Sequence, residues 1–569
     1  MLKKCILVFV LFLISNQEAL AISNPTQVPN NKFGIHIIDE NDLSDAAKLV
    51  NSSGGDWGYV KIVIRQDDRN QEKWQAVFDR MRQLHLIPIV RLATKVNYGA
   101  WQKPPVDDIG SWVDFLNSLN WVVENRYVII FNEPNHADEW GGEVNPEEYA
   151  WFLKEFSTRL KSKSADFFIL PAGLDASAPN GGGTMDEATF IKRMTAKETD
   201  IFKNIDGWTS HSYPNPGFSG SPYATGKGSI QTYKWEMSQF SYLGISELPI
   251  FITETGWRHN QGKYVENYSL TPEQAAEYYK VAYTEIWNDS KIAAVVPFLL
   301  NYQDAPFDHF SFKKLGSHEF YATYSQIQDL TKVTGNPKQK DLVEIIDTRF
   351  PDKLVTGSDY ALQITLENNG QSIIDGHAGW NFSIDGLPNT FQVYTSTLSI
   401  VEPFHRTQVE VRLKTPSSIG DYSYVYKLTH YEKNVLSSVA SLSIIPPPGI
   451  LVNAKIWYEH LAQGNDFQLI IYNDQEQILH EEERVEFKDG GAKVENLYNI
   501  IPNHNNRIVL TKPYYLPRQI YAHLTDRSTT VYFPQLLPLD PSSDGSLSLG
   551  DVGGFLKRPL KSIGLLISL

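Results

Sequence analysis

The 569-residue chain reads as an α/β protein: a TIM-type (β/α)8 barrel followed by two small all-β, sandwich-like domains. Three features carry that reading. Eight short, almost continuously apolar runs recur between residues 33 and 300, separated by stretches of helical period, as successive βα units require. Beyond residue 337 the period shifts to the two-residue alternation of antiparallel strands. After the first 21 residues no segment is apolar over a membrane-spanning length.

The apolar runs fall at 33–38 (FGIHII), 59–64 (YVKIVI), 87–92 (IPIVRL), 127–131 (YVIIF), 167–172 (FFILPA), 207–213 (GWTSHSY), 249–253 (PIFIT) and 292–300 (IAAVVPFLL). Apolar at nearly every position, they suit strands buried on both faces. Among the intervening stretches, 72–84 and 272–287 predict amphipathic helices, the second opened by Thr271 as cap with Pro272 and Glu273 in the first turn. A doubly wound sheet is the structural rival, but no glycine-rich phosphate loop follows the first run. Eight units in about 300 residues is the size of a barrel. The barrel is therefore assigned to 22–336, with Thr334, Gly335, Asn336 and Pro337 as linker. Strand patterns at 360–366, 407–413 and 422–428 predict an Ig-like sandwich over 337–447. Pro446, Pro447 and Pro448 mark the next boundary, and DFQLIIY, RIVLT and STTVYF predict a second β-rich domain over 448–535. Residues 536–569 form a tail.

Composition narrows the partners. The formal net charge is −15, from 51 Lys plus Arg against 66 Asp plus Glu, with no basic block. Phosphate-rich polymers and anionic membranes would be repelled, so nucleic acid is excluded and a neutral ligand is expected. The first 21 residues carry Lys3 and Lys4, an apolar stretch from Cys5 to Ile14, and Ala19-Leu20-Ala21, the pattern of a secretory signal. An uncleaved anchor is the alternative. Cys5 is the only cysteine, so a chain cleaved after Ala21 has neither disulfides nor thiol chemistry, and a secreted or cell-surface location is expected.

Two carboxylates stand out by position. Glu133 lies in Phe131-Asn132-Glu133-Pro134, directly after the fourth run, and Glu254 closes the seventh. Strand ends of a parallel barrel open on one face, so both would enter one mouth. A facing pair is what glycosidic hydrolysis uses, with one acid to protonate the leaving oxygen and one carboxylate to attack the anomeric carbon.

Asn-Glu-Pro ending strand four, with a Glu ending strand seven, resembles the clan of retaining (β/α)8 glycoside hydrolases that includes families 5 and 39. The stretch 132–142 (NEPNHADEWGG) is similar to family-39-like and family-5-like bacterial sequences, and Glu254-Thr255-Gly256-Trp257 is similar to the β-1,3-glucanases of family 17. The resemblance covers about 30–335 and implies Glu254 as nucleophile, Glu133 as acid/base and Asn132 as partner of the sugar 2-hydroxyl. It further implies that Arg65, closing strand two, holds the nucleophile ionised, and that Tyr213 donates to it. His211 closes the same strand as Tyr213, and His36 ends strand one within reach of substrate hydroxyls. Arg91, within strand three, is either a site residue or a core ion pair. Many clan members place a Trp at strand eight; here the segment reads Phe298-Leu299-Leu300-Asn301-Tyr302, so Phe298, Tyr302 or Trp257 must serve as the sugar platform.

Near the end, Asp540, Ser542, Asp544, Ser546, Ser548 and Asp551 occupy positions 1, 3, 5, 7, 9 and 12 of a calcium loop, with Gly545 at position 6. Aspartate at position 12 resembles dockerin loops, which implies a structural Ca2+ held by Asp540, Asp544 and Asp551 and a cohesin-like or cell-surface partner. An acidic surface turn is the alternative. The expected activity is hydrolysis of O-glycosidic bonds, on β-linked poly- or oligosaccharide, by double displacement without a cofactor. The rivals are an inactive carbohydrate-binding or scaffold protein, and an inverting hydrolase.

Overall fold

A computed structural model describes residues 22–557 and 559, apart from 98, 243–247, 266–268, 458 and 459. The expected signal segment and Cys5 lie outside the described residues. The chain divides into two compact units, 1–340 and 341–569.

In the first unit eight parallel strands alternate with helices. The strands are β1 (Gly34–His36), β2 (Gly58–Arg65), β3 (Leu86–Ala93), β4 (Arg126–Ile130), β5 (Phe167–Pro171), β6 (Trp208–His211), β7 (Ile250–Thr255) and β8 (Ile292–Pro297). They form a five-stranded ladder β1-β2-β3-β4-β5 and a three-stranded ladder β8-β7-β6. Single parallel bridges, Phe33 with Val295 and Asp175 with His211, stand at the two seams. Strand ends therefore share one face, which gathers the chemistry of distant segments.

The helices are α1 (Leu43–Val50), α2 (Gln71–Gln83), α3 (Ile109–Ser118), α4 (Pro146–Lys163), α5 (Glu187–Lys197), α6 (Thr232–Tyr242), α7 (Pro272–Val281) and α8 (Ala322–Asp329). Their starts are chemically specified. Asn70, Asn145 and Asp186 accept from backbone N–H groups two or three positions into α2, α4 and α5, and Thr271 and Gln274 form a reciprocal capping box on α7. Each such cap contributes about 1 kcal/mol. Helix α7 passes into a π-turn, Ala282–Ile286, before the buried Trp287. Large aromatics, Trp112, Trp121, Trp208 and Trp287 among them, fill the space between strands and helices.

The second unit holds two apolar cores. In the first, sheets β9-β11-β14-β13 and β10-β16-β15-β12 contribute Ile364, Leu366, Val411 and Leu428. Here β9 is Val343–Thr348, β10 Lys353–Val355, β11 Asp359–Asn368, β12 Trp380–Asp385, β13 Gln392–Thr395, β14 Arg406–Lys414, β15 Gly420–His430 and β16 Lys433–Ile445. Burial alternates along β11, so its inward residues meet the facing sheet. The second core gathers Ile450, Val452, Phe467, Leu469, Ile508 and Leu510, and takes Val355 from the preceding sandwich. The tail contains a further helix, α9 (Leu549–Lys557).

Candidate active site

Glu254 lies near the end of β7 and is 8 % exposed. Lys61, fully buried on β2, donates from Nζ to its Oε1 at 2.7 Å, and the Tyr213 hydroxyl donates to Oε2 at 3.1 Å. Burial alone pushes a carboxyl pKa up. Here Lys61, then His211 and His36, more than reverse that push and hold Glu254 well below the usual carboxylate range. The side chain is therefore ionised, with its charge already solvated by protein groups. Burial lowers the pKa of Lys61, and Glu254 works to restore it.

Glu133 follows β4 in a turn with positive φ at Phe131 (67°) and at Glu133 itself (30°), a backbone state that ordinary residues rarely adopt. Its N–H donates to the Gly173 carbonyl at 3.1 Å, which holds the turn against the segment after β5. His211 Nδ1 stands 2.7 Å from Glu133 Oε1 and 3.9 Å from Glu254 Oε2. One oxygen from each carboxylate and a ring nitrogen of His211 all lie within 4.8 Å of one another. The two carboxylates differ in access: the Glu133 side chain is 21 % exposed, while that of Glu254 is 10 % exposed.

His211 keeps its place because residue 173 has no side chain. A Cβ there would stand 2.2 Å from His211 Cδ2. Gly173→Ala is thus expected to push the imidazole off Glu133 and lower kcat/KM on the order of 100-fold, since small misplacements of catalytic groups have effects of that size. Circular dichroism and a melting curve beside the kinetics separate this from global unfolding.

The other predicted positions divide. Tyr213 is in the site, braced edge-on by Phe218 and Phe310. His36 is 2 % exposed, lies against Phe298, and neither ring nitrogen has a hydrogen-bond partner among the described residues. Asn132 lines a recess with Arg91, Trp101 and Glu139 beside the carboxylates. Tyr302 packs edge-on against Phe307 and belongs to the same small apolar cluster as Phe298, Phe310 and Tyr213.

Two expectations are corrected. Arg65 does not reach Glu254: its side chain is 55 % exposed and pairs with Asp67 at 3.0 Å. It shares a strand face with Lys61, but four residues further along β2 it is about 13 Å beyond it. Lys61 supplies the positive charge instead. The signal for Lys61 was present, because a lone lysine inside YVKIVI has to find a buried partner. Trp257 is not a sugar platform. It is 1 % exposed, its Nε1–H donates to the Gly220 carbonyl at 2.8 Å, and Tyr278, Tyr279 and Trp287 enclose it. Trp257→Ala is expected to destabilise the fold by about 3–5 kcal/mol, read as a lower denaturation midpoint, without a selective loss of sugar affinity.

The tail loop has its own cluster. Carboxylate oxygens of Asp540, Asp544 and Asp551 lie within 4.8 Å of one another, and Gly545 turns the loop at φ 79°. Ser542 Oγ donates to Asp551 at 2.8 Å, and backbone N–H groups of Asp544 and Gly545 donate to Asp540.

No protein-family model and no curated protein sequence matches the chain. Solved structures do, glycoside hydrolases among them. A family 39 glycoside hydrolase from Bacteroides cellulosilyticus WH2 is 15 % identical, over 69 % of this chain and 83 % of that one, with TM-score 0.37. A family 5 enzyme from Streptomyces cattleya, solved with GlcNAc, is 13 % identical over 58 % and 84 %, with TM-score 0.38. The β-mannanase of Thermomonospora fusca is 14 % identical over 53 % and 90 %, with TM-score 0.34.

Proposed function

We propose that this chain is a secreted, retaining O-glycoside hydrolase that works on a closed (β/α)8 barrel. The observation that carries the reading is the carboxylate pair: oxygens of Glu133 and Glu254 within 4.8 Å, one held by Lys61 and one by His211. Retaining enzymes place their carboxyl groups about 5–5.5 Å apart, whereas an inverting enzyme needs about 6.5–9.5 Å to admit the attacking water between them.

The roles follow from environment. Glu254 is buried, ionised and oriented by Lys61 and Tyr213, so it attacks the anomeric carbon and forms a glycosyl-enzyme ester. Glu133 is the more accessible of the two, so it protonates the departing oxygen and, once ionised, takes a proton from the incoming water. His211 fixes the Glu133 carboxyl, and Asn132 and His36 supply donors and acceptors for sugar hydroxyls. Glu133, His211 and Glu254 have the spacing of a metal cluster, but the Lys61 ammonium already occupies Glu254 Oε1 and repels a cation there.

Reducing-sugar release from a panel of β-glycans, with the anomeric configuration of the first product read by NMR, tests the proposal. Release with retained configuration, lost in Glu133→Ala and Glu254→Ala, is the expected result. Inverted product overturns the double displacement. Binding without release by any polymer, unchanged in both variants, favours the scaffold reading.

Secretion after removal of residues 1–21, and a structural Ca2+ on the tail loop, belong to the same proposal. Three carboxylates and two serine hydroxyls around the Gly545 turn form an all-oxygen donor set that suits calcium. Added Ca2+ is expected to raise the unfolding temperature of that region and to protect it from proteolysis, with both effects absent in Asp544→Ala. A cohesin-like partner requires that calcium-ordered loop.

A further inference from the structure

Beside the catalytic carboxylates lies a recess lined by Arg91, Thr94, Trp101, Asn132, Glu139 and Trp140. Arg91 is on β3, paired in register with Val63, so it faces the same side of the ladder as Lys61 two residues earlier on β2. It is 8 % exposed, its Nε has no hydrogen-bond partner, and its guanidinium makes no ion pair within 4.0 Å among the described residues. The Trp101 ring lies 5.6 Å from its Cζ.

Lys61 is held by Glu254, and His211 by Glu133. The remaining acid, Glu139, sits in the short turn Ala137–Glu139. Burial pushes its pKa up, Arg91 pulls against that, Glu133 and Glu254 add to the rise, and the carboxyl ends at about 7. Glu139 is thus a much weaker acid than an ordinary carboxylate, and near neutral pH it compensates the guanidinium only in part. A buried cation that is only partly compensated carries a desolvation cost, and a neutral sugar laid over it would add to that cost.

We propose that Arg91 is the receptor for a carboxylate on the substrate, and that the glycan cleaved carries an acidic, uronic-type sugar in the subsite beside the scissile bond. A carboxylate matches the planar fork of the guanidinium and fills its unused donors with charge-assisted hydrogen bonds. Protonated Glu139 then donates to the same group, and Trp101 supplies a flat wall that holds the guanidinium plane. Arg91 acts as a specificity residue and takes no part in bond making. This assignment rests on the hydrolase reading, and it departs from the neutral ligand expected from net charge.

The test is equilibrium binding, which does not depend on turnover. Glucuronate, galacturonate and mannuronate are titrated into the full chain beside their methyl esters and a sugar sulfate, with wild type, Arg91→Met and Arg91→Lys compared. At least one uronate is expected to bind about 100-fold tighter than its ester, the size of one lost charge-assisted pair. That preference is expected to vanish in Arg91→Met and to be weakened in Arg91→Lys, which keeps the charge without the fork. Equal binding of acid and ester, binding of neither, or a preference for sulfate over carboxylate overturns the proposal. So does a uronate preference that survives in folded Arg91→Met. Failure of the hydrolase reading appears separately, as absent sugar release in the wild type.

Discussion

Glu254→Gln is expected to lower kcat by on the order of 10,000-fold or more, because it removes the carboxylate that the proposed double displacement uses to attack the anomeric carbon. Single-turnover assays with an activated aryl glycoside check it. Adding azide to Glu254→Ala should restore release of the aryl group and yield a glycosyl azide of the opposite anomeric configuration, since the small anion enters from the vacated side. The same addition to Glu133→Ala should give an azide of unchanged configuration, because the ester on Glu254 still forms. Identical products from both variants would contradict the division of roles. The substitution also changes the response to acid. In the folded protein Glu254 has a pKa below its unfolded value of about 4.3, so its ionisation stabilises the fold above that pH. That contribution is lost as pH falls toward the folded value. The loss of melting temperature between about pH 5 and pH 2 should be shallower in Glu254→Gln than in wild type.

Lys61→Met should produce the second large effect, through the other half of the same pair. Without the ammonium at 2.7 Å, burial dominates and the Glu254 pKa rises. The acid limb of kcat/KM, which reports ionisation of the nucleophile in the free enzyme, should move to higher pH by about one to three units. At neutral pH the buried carboxylate is left uncompensated, a change worth about 3–5 kcal/mol of stability. Lys61→Met combined with Glu254→Gln should recover most of that loss, since neither charge then remains. Denaturant melts of the four proteins give the coupling directly. A coupling near zero, or an acid limb that does not move, would show that Lys61 does not set the charge of Glu254. Arg65→Met is the control, and with its side chain paired to Asp67 at the surface it should leave the profile unchanged.

Much of the site was legible in the residues because strand ends of parallel units share a face. Glu133 and Glu254 each follow an apolar run, so position in the pattern was enough to bring them to one mouth. Tyr213 was legible for the same reason. Arg65 and Trp257 misled because a strand end marks a face but not a depth. Arg65 lies past the carboxylate level, and Trp257 turns back beneath it into the aromatic layer between β7 and α7. Lys61 escaped notice because a charge inside an apolar run reads as an interruption of the strand, although burial makes it the residue most in need of a partner.

The sequence by itself determined the alternation of strands and helices, the change of period near residue 337, the cap that starts α7, and the two acids of the site. All of these depend on neighbours within a few positions or on side-chain type. Only the tertiary structure decided that Lys61 holds Glu254, that Gly173 makes room for His211, and that Arg91 and Glu139 line one recess. Those relations join segments far apart in the chain, and each turns on an ångström-scale distance and on burial, which set the strength of a charge interaction and are not encoded in any local pattern.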